Sequence, residues 1–212
     1  MKHWLLVTLT LTLICPKEST AQLLKHYGLK VAVTSADQKY DVKYVSEVKT
    51  KRRTGFNVAA FLEWFDVPYF SFLTQVEYAQ RGMGQDFVLT GPSGPEPIGV
   101  KTSYSRLDYL SIPIMGKIRL QTETITPFVS VGPRVDFFLG YHSDENLFNP
   151  VFEKFKTTVL GGSFGIGVQT ETLLPVIILA ELRYNIDLAD SYSTDALQVR
   201  NNAFDVWLGI AF

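Results

Sequence analysis

Apolar and polar residues alternate along most of the chain, whereas the three- and four-residue spacing of an amphipathic helix is nearly absent. In the segment Gly55–Glu63 every second residue is apolar, and in Phe204–Phe212 the same alternation continues to the last residue. A period of two is that of a β-strand with one apolar face. Eight segments of this kind, centred near residues 31, 58, 75, 113, 132, 164, 180 and 207, predict eight strands.

The connections between these segments alternate in length. Short connections lie near Trp64, Thr122 and Leu173. The intervening connections are longer and polar, and they span Ser35–Arg53, Met83–Ser103, Tyr141–Thr157 and Leu188–Asn201. Short turns at one end and long loops at the other are typical of a transmembrane barrel with periplasmic turns and external loops.

The two faces of the segments differ in charge. The apolar faces carry none, whereas the opposite faces carry six cations and six anions: Lys30, Glu63, Glu77, Arg81, Lys117, Arg119, Arg134, Asp136, Glu171, Glu181, Arg183 and Asp205. A barrel in lipid needs an apolar outside and tolerates a polar inside, the reverse of a water-soluble barrel. We therefore predict an all-β fold, a single eight-stranded antiparallel transmembrane barrel whose lumen charges pair and fill the interior. Aromatic residues beside the first short turn match an interfacial girdle, namely Trp64, Phe65, Tyr69 and Phe70.

The first residues form a separate unit. Lys2 precedes an apolar run, Trp4–Ile14, and small residues then lead to Gln22. A charged start, a short apolar core and small residues at the cleavage site are the features of a secretory signal peptide. We predict a signal peptide over residues 1–21 and an outer-membrane barrel domain over residues 22–212.

A lipoprotein signal that uses Cys15 is the alternative, and Ile14 disfavours it because such signals need a small residue at that position. Cys15 is the only cysteine of the chain. Cleavage before Gln22 would therefore leave an exported chain without a disulfide or a reactive thiol.

Composition excludes other classes of protein. The chain has 212 residues, of which 46% are hydrophobic and 19% charged, with a formal net charge of −1. These values indicate a folded domain and provide no basic surface for nucleic acid. After the signal, no apolar run approaches the ~20 residues of a transmembrane helix. Strands must then form the membrane span, which predicts an outer-membrane protein with both termini in the periplasm.

Several segments resemble a known family. They are "VEYAQRG" (Val76–Gly82), "YLSIPIMGKI" (Tyr109–Ile118), "PFVSVGPRVDFFLG" (Pro127–Gly140), "GGSFGIGVQTE" (Gly161–Glu171) and "AELRYNIDL" (Ala180–Leu188). The mature chain is similar to the PorT-like outer-membrane β-barrel family of Bacteroidetes. The resemblance implies a barrel without catalytic or cofactor-binding residues, and one branch of the family is associated with secretion by the type IX system.

The last strand also carries a resemblance. A terminal strand that ends on an aromatic residue, here Phe212 with Trp207 before it, is similar to the signal that the barrel assembly machinery recognises in outer-membrane proteins. This similarity implies contact with that machinery during biogenesis.

Two stretches raise the question of enzymatic or cofactor chemistry. "YHSDEN" places His142, Asp144 and Glu145 beside a serine, but a catalytic triad needs residues that converge in space, and a metal site has no supporting spacing here. Gly165 and Gly167 follow Gly161 within a strand and open no helix, so a dinucleotide site is disfavoured and room for lumen side chains is favoured. We expect no catalytic, metal or cofactor-binding residue.

Two external segments are candidates for contacts. The basic residues Lys51, Arg52 and Arg53 end the first long connection and could bind lipopolysaccharide phosphates, although a solvated loop stem is the simpler interpretation. The segment Gly91–Gly99 is rich in proline and glycine and is predicted to be a mobile external loop that meets a partner.

The sequence favours a non-enzymatic outer-membrane barrel with a structural or interaction role through its external loops, with a link to secretion as one form of that role. Its expected partners are outer-membrane lipid and lipopolysaccharide, the barrel assembly machinery and an envelope protein. Three alternatives stay open: a small-solute pore, favoured if there were ten strands; an outer-membrane lipid-modifying enzyme that depends on His142 or His26; and a soluble lipocalin-like binder with an apolar interior.

Overall fold

The computed structural model describes residues 23–43, 48–90, 97–120, 122, 124–144, 152–170 and 176–212. Within these ranges the strands are β1 (Leu24–Val42), β2 (Lys51–Val67), β3 (Phe70–Thr90), β4 (Pro97–Arg119), β5 (Ile125–Ser143), β6 (Thr158–Thr170), β7 (Ile177–Asp187), β8 (Tyr192–Ser193) and β9 (Leu197–Ala211). No helix in the described ranges is long and apolar enough to cross a membrane.

Eight of these strands form a closed antiparallel ring. Each strand from β1 to β7 pairs with the next, β7 pairs with β9, and β9 pairs with β1. The closing seam runs without a break from Gly28 opposite Ala211 to Val42 opposite Leu197. The two-residue strand β8 pairs with β9 at its outer end. Closure removes the free edges of the sheet and confirms the prediction of an eight-stranded antiparallel barrel.

The polarity of the barrel is inverted relative to a soluble one. Outward residues such as Val31 and Leu208 are apolar and exposed, whereas the neighbouring inward residues Lys30 and Trp207 are buried. On the last strand the apolar band runs over Phe204–Phe212, which matches the ~9–11 residues that a tilted strand needs to cross the hydrocarbon. The polar interior contradicts the lipocalin-like alternative.

Aromatic side chains border the apolar band at both ends. At the end that holds the chain termini, the rings of Phe70 and Phe72 lie 4.9 Å apart, and at the outer end those of Tyr184 and Phe204 lie 4.6 Å apart. Further ring pairs are Tyr27 with Phe212 and Phe65 with Phe72 at the first end, and Phe56 with Tyr78 at the outer end. Two such girdles mark the two membrane interfaces.

The strands continue beyond the outer girdle, and here the predicted bounds of the first two long loops are wrong. The loop expected over Ser35–Arg53 is mostly strand, because β1 extends to Val42 and β2 begins at Lys51. The outward face of this extension bears polar side chains such as Lys39. Backbone pairing does not require an apolar face, so the barrel rises above the lipid while the apolar pattern ends.

The longest extension is the hairpin of β3 and β4. Thr90 pairs with Pro97, so most of the loop predicted over Met83–Ser103 is strand. The sequence predicted Pro97–Gly99 in a mobile loop, but these residues begin β4. A proline is tolerated as the first residue of a strand, because the N–H that it lacks is not needed for pairing there. Residues 91–96 lie outside the described part of the chain.

Candidate functional site

The interior holds a balanced set of charges. Among the described residues, the buried charged side chains are six cations and six anions, and they include eleven of the twelve predicted lumen charges. Glu171 lies outside the described residues. Asp187 was missed, because it ends the β7 segment where the sequence analysis began a loop. The alternation Glu181, Arg183, Asn185 and Asp187 would have revealed it.

An inner layer of the lumen, nearest the chain termini, is built around Glu63. This layer consists of Glu63, Ser71, Lys117, Arg119 and Gln169. Arg119 Nη1 and Ser71 Oγ donate to Glu63 Oε1 at 3.1 and 2.7 Å, and Lys117 Nζ donates to Glu63 Oε2 at 3.0 Å. Lys117 also donates to Gln169 at 2.6 Å. One carboxylate thereby satisfies two buried cations from β4.

A central layer is built around Glu181. It consists of Lys30, Gln75, Glu77, Arg81, Glu181, Arg183, Asn185 and Asp205. Glu181 accepts from Lys30 Nζ at 2.9 Å and from Arg183 Nη2 at 2.7 Å. Arg183 Nη1 reaches across the lumen to Gln75 and Glu77 on β3 at 3.2 and 3.3 Å. These contacts join opposite walls of the barrel.

An outer layer is built around Arg134. It consists of Ser111, Arg134, Asp136, Asp187, Ser191 and Asn201. Arg134 Nε donates to Asp136 at 2.8 Å, and Arg134 Nη2 donates to Asp187 at 2.9 Å. Asn201 Nδ2 and Ser191 Oγ donate to the second oxygen of Asp187, each at 2.8 Å. This layer ties β5 to the outer end of β7 and to β9.

Glycines on β6 make room for these side chains. A Cβ at Gly161 would lie 2.7 Å from the Arg134 guanidinium, and one at Gly165 would overlap the Glu181 carboxylate. The strand that carries Gly161, Gly165 and Gly167 pairs on both sides over these residues. The structure thus places Gly161 and Gly165 against lumen charges, whereas a Cβ at Gly167 would overlap the Phe128 ring.

Above the charged layers, the mouth of the barrel is closed by an outer-mouth cluster of apolar side chains. Its buried members are Tyr40, Met83, Leu107, Tyr109, Phe152, Phe155 and Val199. Phe152 and Phe155 come from the connection between β5 and β6, and their rings lie 5.4 Å apart. The sequence analysis missed this cluster because it treated that connection as polar. The signal in the sequence for this cluster was the pair of phenylalanines in that connection.

The residues considered for enzymatic chemistry are not brought together. His142 is exposed near the outer end of β5, whereas His26 lies at the opposite end of the barrel on β1. Asp144 accepts a hydrogen bond from the Tyr104 backbone N–H at 3.1 Å, and Glu145 lies outside the described residues. In the described part of the chain, no group of three or more His, Cys, Asp or Glu side chains could hold a metal ion.

The predicted basic cluster separates into three different environments. Lys51 forms an ion pair with Asp86 at 2.8 Å, and Arg53 is partly buried. Hydrogen bonds from Lys51 and Thr102 lower the pKa of the Asp86 carboxyl. Arg52 remains exposed on the outside of β2, where its surroundings differ from those of its two neighbours.

Arg52 lies at the outer aromatic girdle and is held in place there. Its Nε and Nη2 atoms donate to the side chain and the backbone carbonyl of Ser35 at 3.0 and 2.8 Å. Its guanidinium stacks 5.2 Å from the centre of the Phe204 ring. The structure therefore holds this guanidinium in one orientation beside the outer aromatic girdle.

The β3–β4 hairpin protrudes beyond the rest of the barrel. The last β2 partner of β3 is Gly84, and the last β5 partner of β4 is Ser105. Beyond these residues the two arms, 85–90 and 97–103, pair only with each other in the described structure. Val88 and Val100 lie opposite each other and are exposed. We call these two arms the protruding hairpin.

Of the two residues predicted as an assembly signal, one lies within β9 and faces the lumen, and the other follows β9 directly and faces outward. Trp207 is fully buried in the lumen, whereas Phe212 is exposed on the apolar outside. Phe212 exchanges two backbone hydrogen bonds with Tyr27, at 2.8 and 3.1 Å. The last residue of the chain therefore takes part in closing the barrel.

Comparisons with known proteins found a matching family model and similar solved structures. The family model described as an outer membrane protein beta-barrel domain matches residues 20–193. The solid-state NMR structure of outer membrane protein AlkL in DMPC lipid bilayers has a TM-score of 0.50 at 10% identity, covering 93% of this chain and 94% of that chain. The crystal structure of OprG from Pseudomonas aeruginosa has a TM-score of 0.49 at 8% identity, covering 92% and 99%. No curated protein matches the chain.

Proposed function

Because the chain belongs to the outer membrane protein beta-barrel domain family, we propose that it is a non-enzymatic, non-conducting barrel that acts through its external surface. The protein is located in the bacterial outer membrane, as its family and its inverted polarity indicate. The observation that carries the proposal is the closed lumen. In the described residues, three layers of paired charges and the outer-mouth cluster lie one above another along it.

A pore is disfavoured on the same ground. An eight-stranded barrel has an interior that side chains can fill, and the ring here has eight strands, not ten. A solute would have to break contacts such as Arg183 with Glu77 and Arg134 with Asp187, which join different walls of the barrel. Opening these pairs would leave buried charges without partners.

Conductance measurements test this proposal. Purified protein inserted into planar lipid bilayers is expected to give no stable current steps, whereas a sixteen-stranded porin in the same bilayer gives them, since wide barrels keep an aqueous channel. Reproducible steps from the folded barrel would favour the small-solute pore and overturn the proposal.

The external surface that we propose for interaction is the protruding hairpin. In the described structure its arms pair in the sheet only with each other, and the edge of such a hairpin is a site where another strand can be added. Its exposed pair, Val88 and Val100, lies outside the lipid, where it gains nothing from hydrocarbon. An envelope protein, including a component of a secretion complex, is the partner that we infer for this hairpin.

Photocrosslinking tests the hairpin. A photoreactive amino acid at Val100, which is 65% exposed, is expected to form a protein adduct in intact cells. The matched control is Val131, which is 61% exposed in the lipid-facing band and should form none. Equal adducts at both positions, or none at Val100, would contradict an interaction through the hairpin.

We propose a second surface contact, between lipopolysaccharide and Arg52. The oriented guanidinium at the outer girdle suits a phosphate group, because arginine binds phosphate bidentately. Lys51 forms an ion pair with Asp86, and Arg53 is partly buried. Both are therefore less available to a phosphate group than Arg52.

The lipopolysaccharide contact predicts a difference between two neighbouring variants. Arg52→Gln is expected to lower the amount of lipopolysaccharide that copurifies with the barrel about twofold or more, in line with the loss of ~0.5–1 kcal/mol from one exposed charge pair. Lys51→Gln should leave it nearly unchanged. The measurement is lipopolysaccharide phosphate per barrel after mild detergent extraction. Unchanged retention in the Arg52 variant would remove this contact from the proposal.

We also propose a biogenesis route with two steps, removal of residues 1–21 and recognition of the last strand by the barrel assembly machinery. N-terminal sequencing of the mature protein should begin at Gln22. Deletion of Phe212 should reduce the folded barrel in the outer membrane, whereas the chain is still exported. A mature chain that begins at Cys15 would instead favour the lipoprotein signal.

A further inference from the structure

One part of the central layer is less tightly paired than the rest. Arg81 Nη2 lies 3.7 Å from Glu77 Oε1, and Arg81 Nη1 lies 3.8 Å from Asp205 Oδ1. Both distances are longer than a direct hydrogen bond. All three side chains are buried. The charges attract one another, but their polar atoms are not in hydrogen-bond contact.

Buried polar atoms without a hydrogen-bond partner gather in the same region. Of the twelve such atoms in the described residues, six belong to this part of the lumen: Thr34 Oγ1, Asn57 Nδ2, Glu77 Oε1, Arg81 Nη2, Asp205 Oδ1 and Trp207 Nε1. They belong to four neighbouring strands of the ring, β9, β1, β2 and β3. Leaving a buried polar atom unpaired costs its full desolvation penalty, so six in one region indicate a shared partner.

The pairing of the strands brings these atoms to one level of the lumen. Thr34 lies opposite Asp205 in the β1–β9 register. Asn57 Oδ1 accepts the backbone N–H of Gln80 at 2.9 Å, and Arg81 Nη1 donates to the carbonyl of the same Gln80. The side chains of Asn57 and Arg81 thus both form hydrogen bonds with the backbone of Gln80 on β3.

The wall around this level is made of small side chains. Buried alanines point into the lumen from the same four strands: Ala32, Ala36, Ala59, Ala79 and Ala203. Elsewhere in the lumen, long charged side chains fill the space. Methyl groups leave room beside the partnerless atoms, so the site is both polar and roomy, as a buried water requires.

We propose that these residues form an enclosed hydrated chamber, in which bound water bridges Arg81 to Glu77 and Asp205. Three donors and two acceptors, with one hydroxyl that can be either, suit a neutral ligand that both donates and accepts. At about three hydrogen bonds per buried water, six atoms call for about two waters.

The charge of the central layer favours water over an ion. Lys30, Arg81 and Arg183 balance Glu77, Glu181 and Asp205, so their formal charges sum to zero. A bound cation or anion would leave this buried layer with an uncompensated charge. The inner and outer layers flank the chamber, so the water it holds does not open a path through the barrel.

Solid-state NMR in lipid bilayers tests the chamber in the unmodified protein. Magnetisation transferred from water should reach the Arg81 guanidinium at least twofold faster than that of Arg183. Arg183 is the matched control, because it is equally buried and each of its guanidinium nitrogens has a protein partner. Equal or slower transfer at Arg81 would overturn the proposal.

A crystal structure that resolves ordered water is the second measurement and needs no variant. Water within hydrogen-bond distance of both Arg81 Nη2 and Glu77 Oε1 is the expected result. Direct hydrogen bonds from Arg81 to both carboxylates, with no water between the side chains, would overturn the proposal. A metal ion or other charged ligand at the site would overturn it as well.

Discussion

At the scale of single residues, the interior depends on carboxylates that each accept from several cations. Glu63 is the clearest case, since it receives hydrogen bonds from Ser71, Lys117 and Arg119 while almost fully buried. Burial removes the water that would otherwise solvate these charges, so each group relies on its protein partners. Loss of one carboxylate would therefore affect both cations at once.

The first prediction concerns this carboxylate. Glu63→Gln should lower the free energy of unfolding by about 3–5 kcal/mol, because it leaves Lys117 and Arg119 without a compensating charge. Urea titration in lipid vesicles, followed by tryptophan fluorescence, measures it. Asp86→Asn, at an exposed ion pair, is the control and should change stability little, because water screens the pair. Similar losses in both variants would contradict the role of the inner layer.

Asp86 itself supports a prediction about pH. Its carboxyl pKa is lowered by hydrogen bonds from Lys51 and Thr102. A lowered folded-state pKa means that the pair stabilises the hairpin fully above the ordinary carboxyl pKa and loses this effect as the pH falls through the folded value. An NMR titration of Asp86 should therefore shift to higher pH in Lys51→Ala. An unchanged titration would show that Lys51 does not hold the carboxylate.

At the scale of elements, strand faces were predictable and strand ends were not. In lipid, an apolar face must alternate with an inward one, so residues such as Val58 and Glu63 could be assigned from a period of two. Above the membrane both faces of a strand are polar, so the contrast between apolar outward and polar inward residues ends at Ser35. The strands nevertheless continue, because their backbones still pair. Phe152 and Phe155 signalled an apolar patch in the outer-mouth cluster, but its other members could not be predicted, since Phe152 and Tyr40 come to one cluster only in the closed ring.

The β3–β4 hairpin supplies an element-scale prediction. Gly82 has a φ of 125°, and a Cβ there would overlap the carbonyl oxygen of Ser105 on β4. Gly82→Ala should destabilise the barrel by ~1–3 kcal/mol through backbone strain. Gly99→Ala, in the same hairpin, is the control because a Cβ there meets nothing within 4 Å. Equal stability of the two variants in urea titrations would contradict this account of Gly82.

At the scale of the whole molecule, closure and inverted polarity act together. The β1–β9 seam satisfies the backbone groups of both terminal strands, and the outward side chains of the ring then face hydrocarbon. The interior charges balance at six of each sign among the described residues, which allows them to pair without an imported ion. The alternation of residues in the sequence predicted which charges face the lumen. It could not predict which charges form ion pairs, because that depends on the register of all eight strands.

Oxygen accessibility tests the lipid-facing outside most directly. A nitroxide at Leu208, introduced as a single cysteine in a Cys15→Ala background, would report the environment of an outward residue that is 58% exposed. The account predicts that dissolved oxygen, which concentrates in hydrocarbon, relaxes this label far more than a water-soluble nickel chelate. Stronger relaxation by the chelate would show that Leu208 faces water, and would contradict a barrel whose apolar surface lies in the membrane.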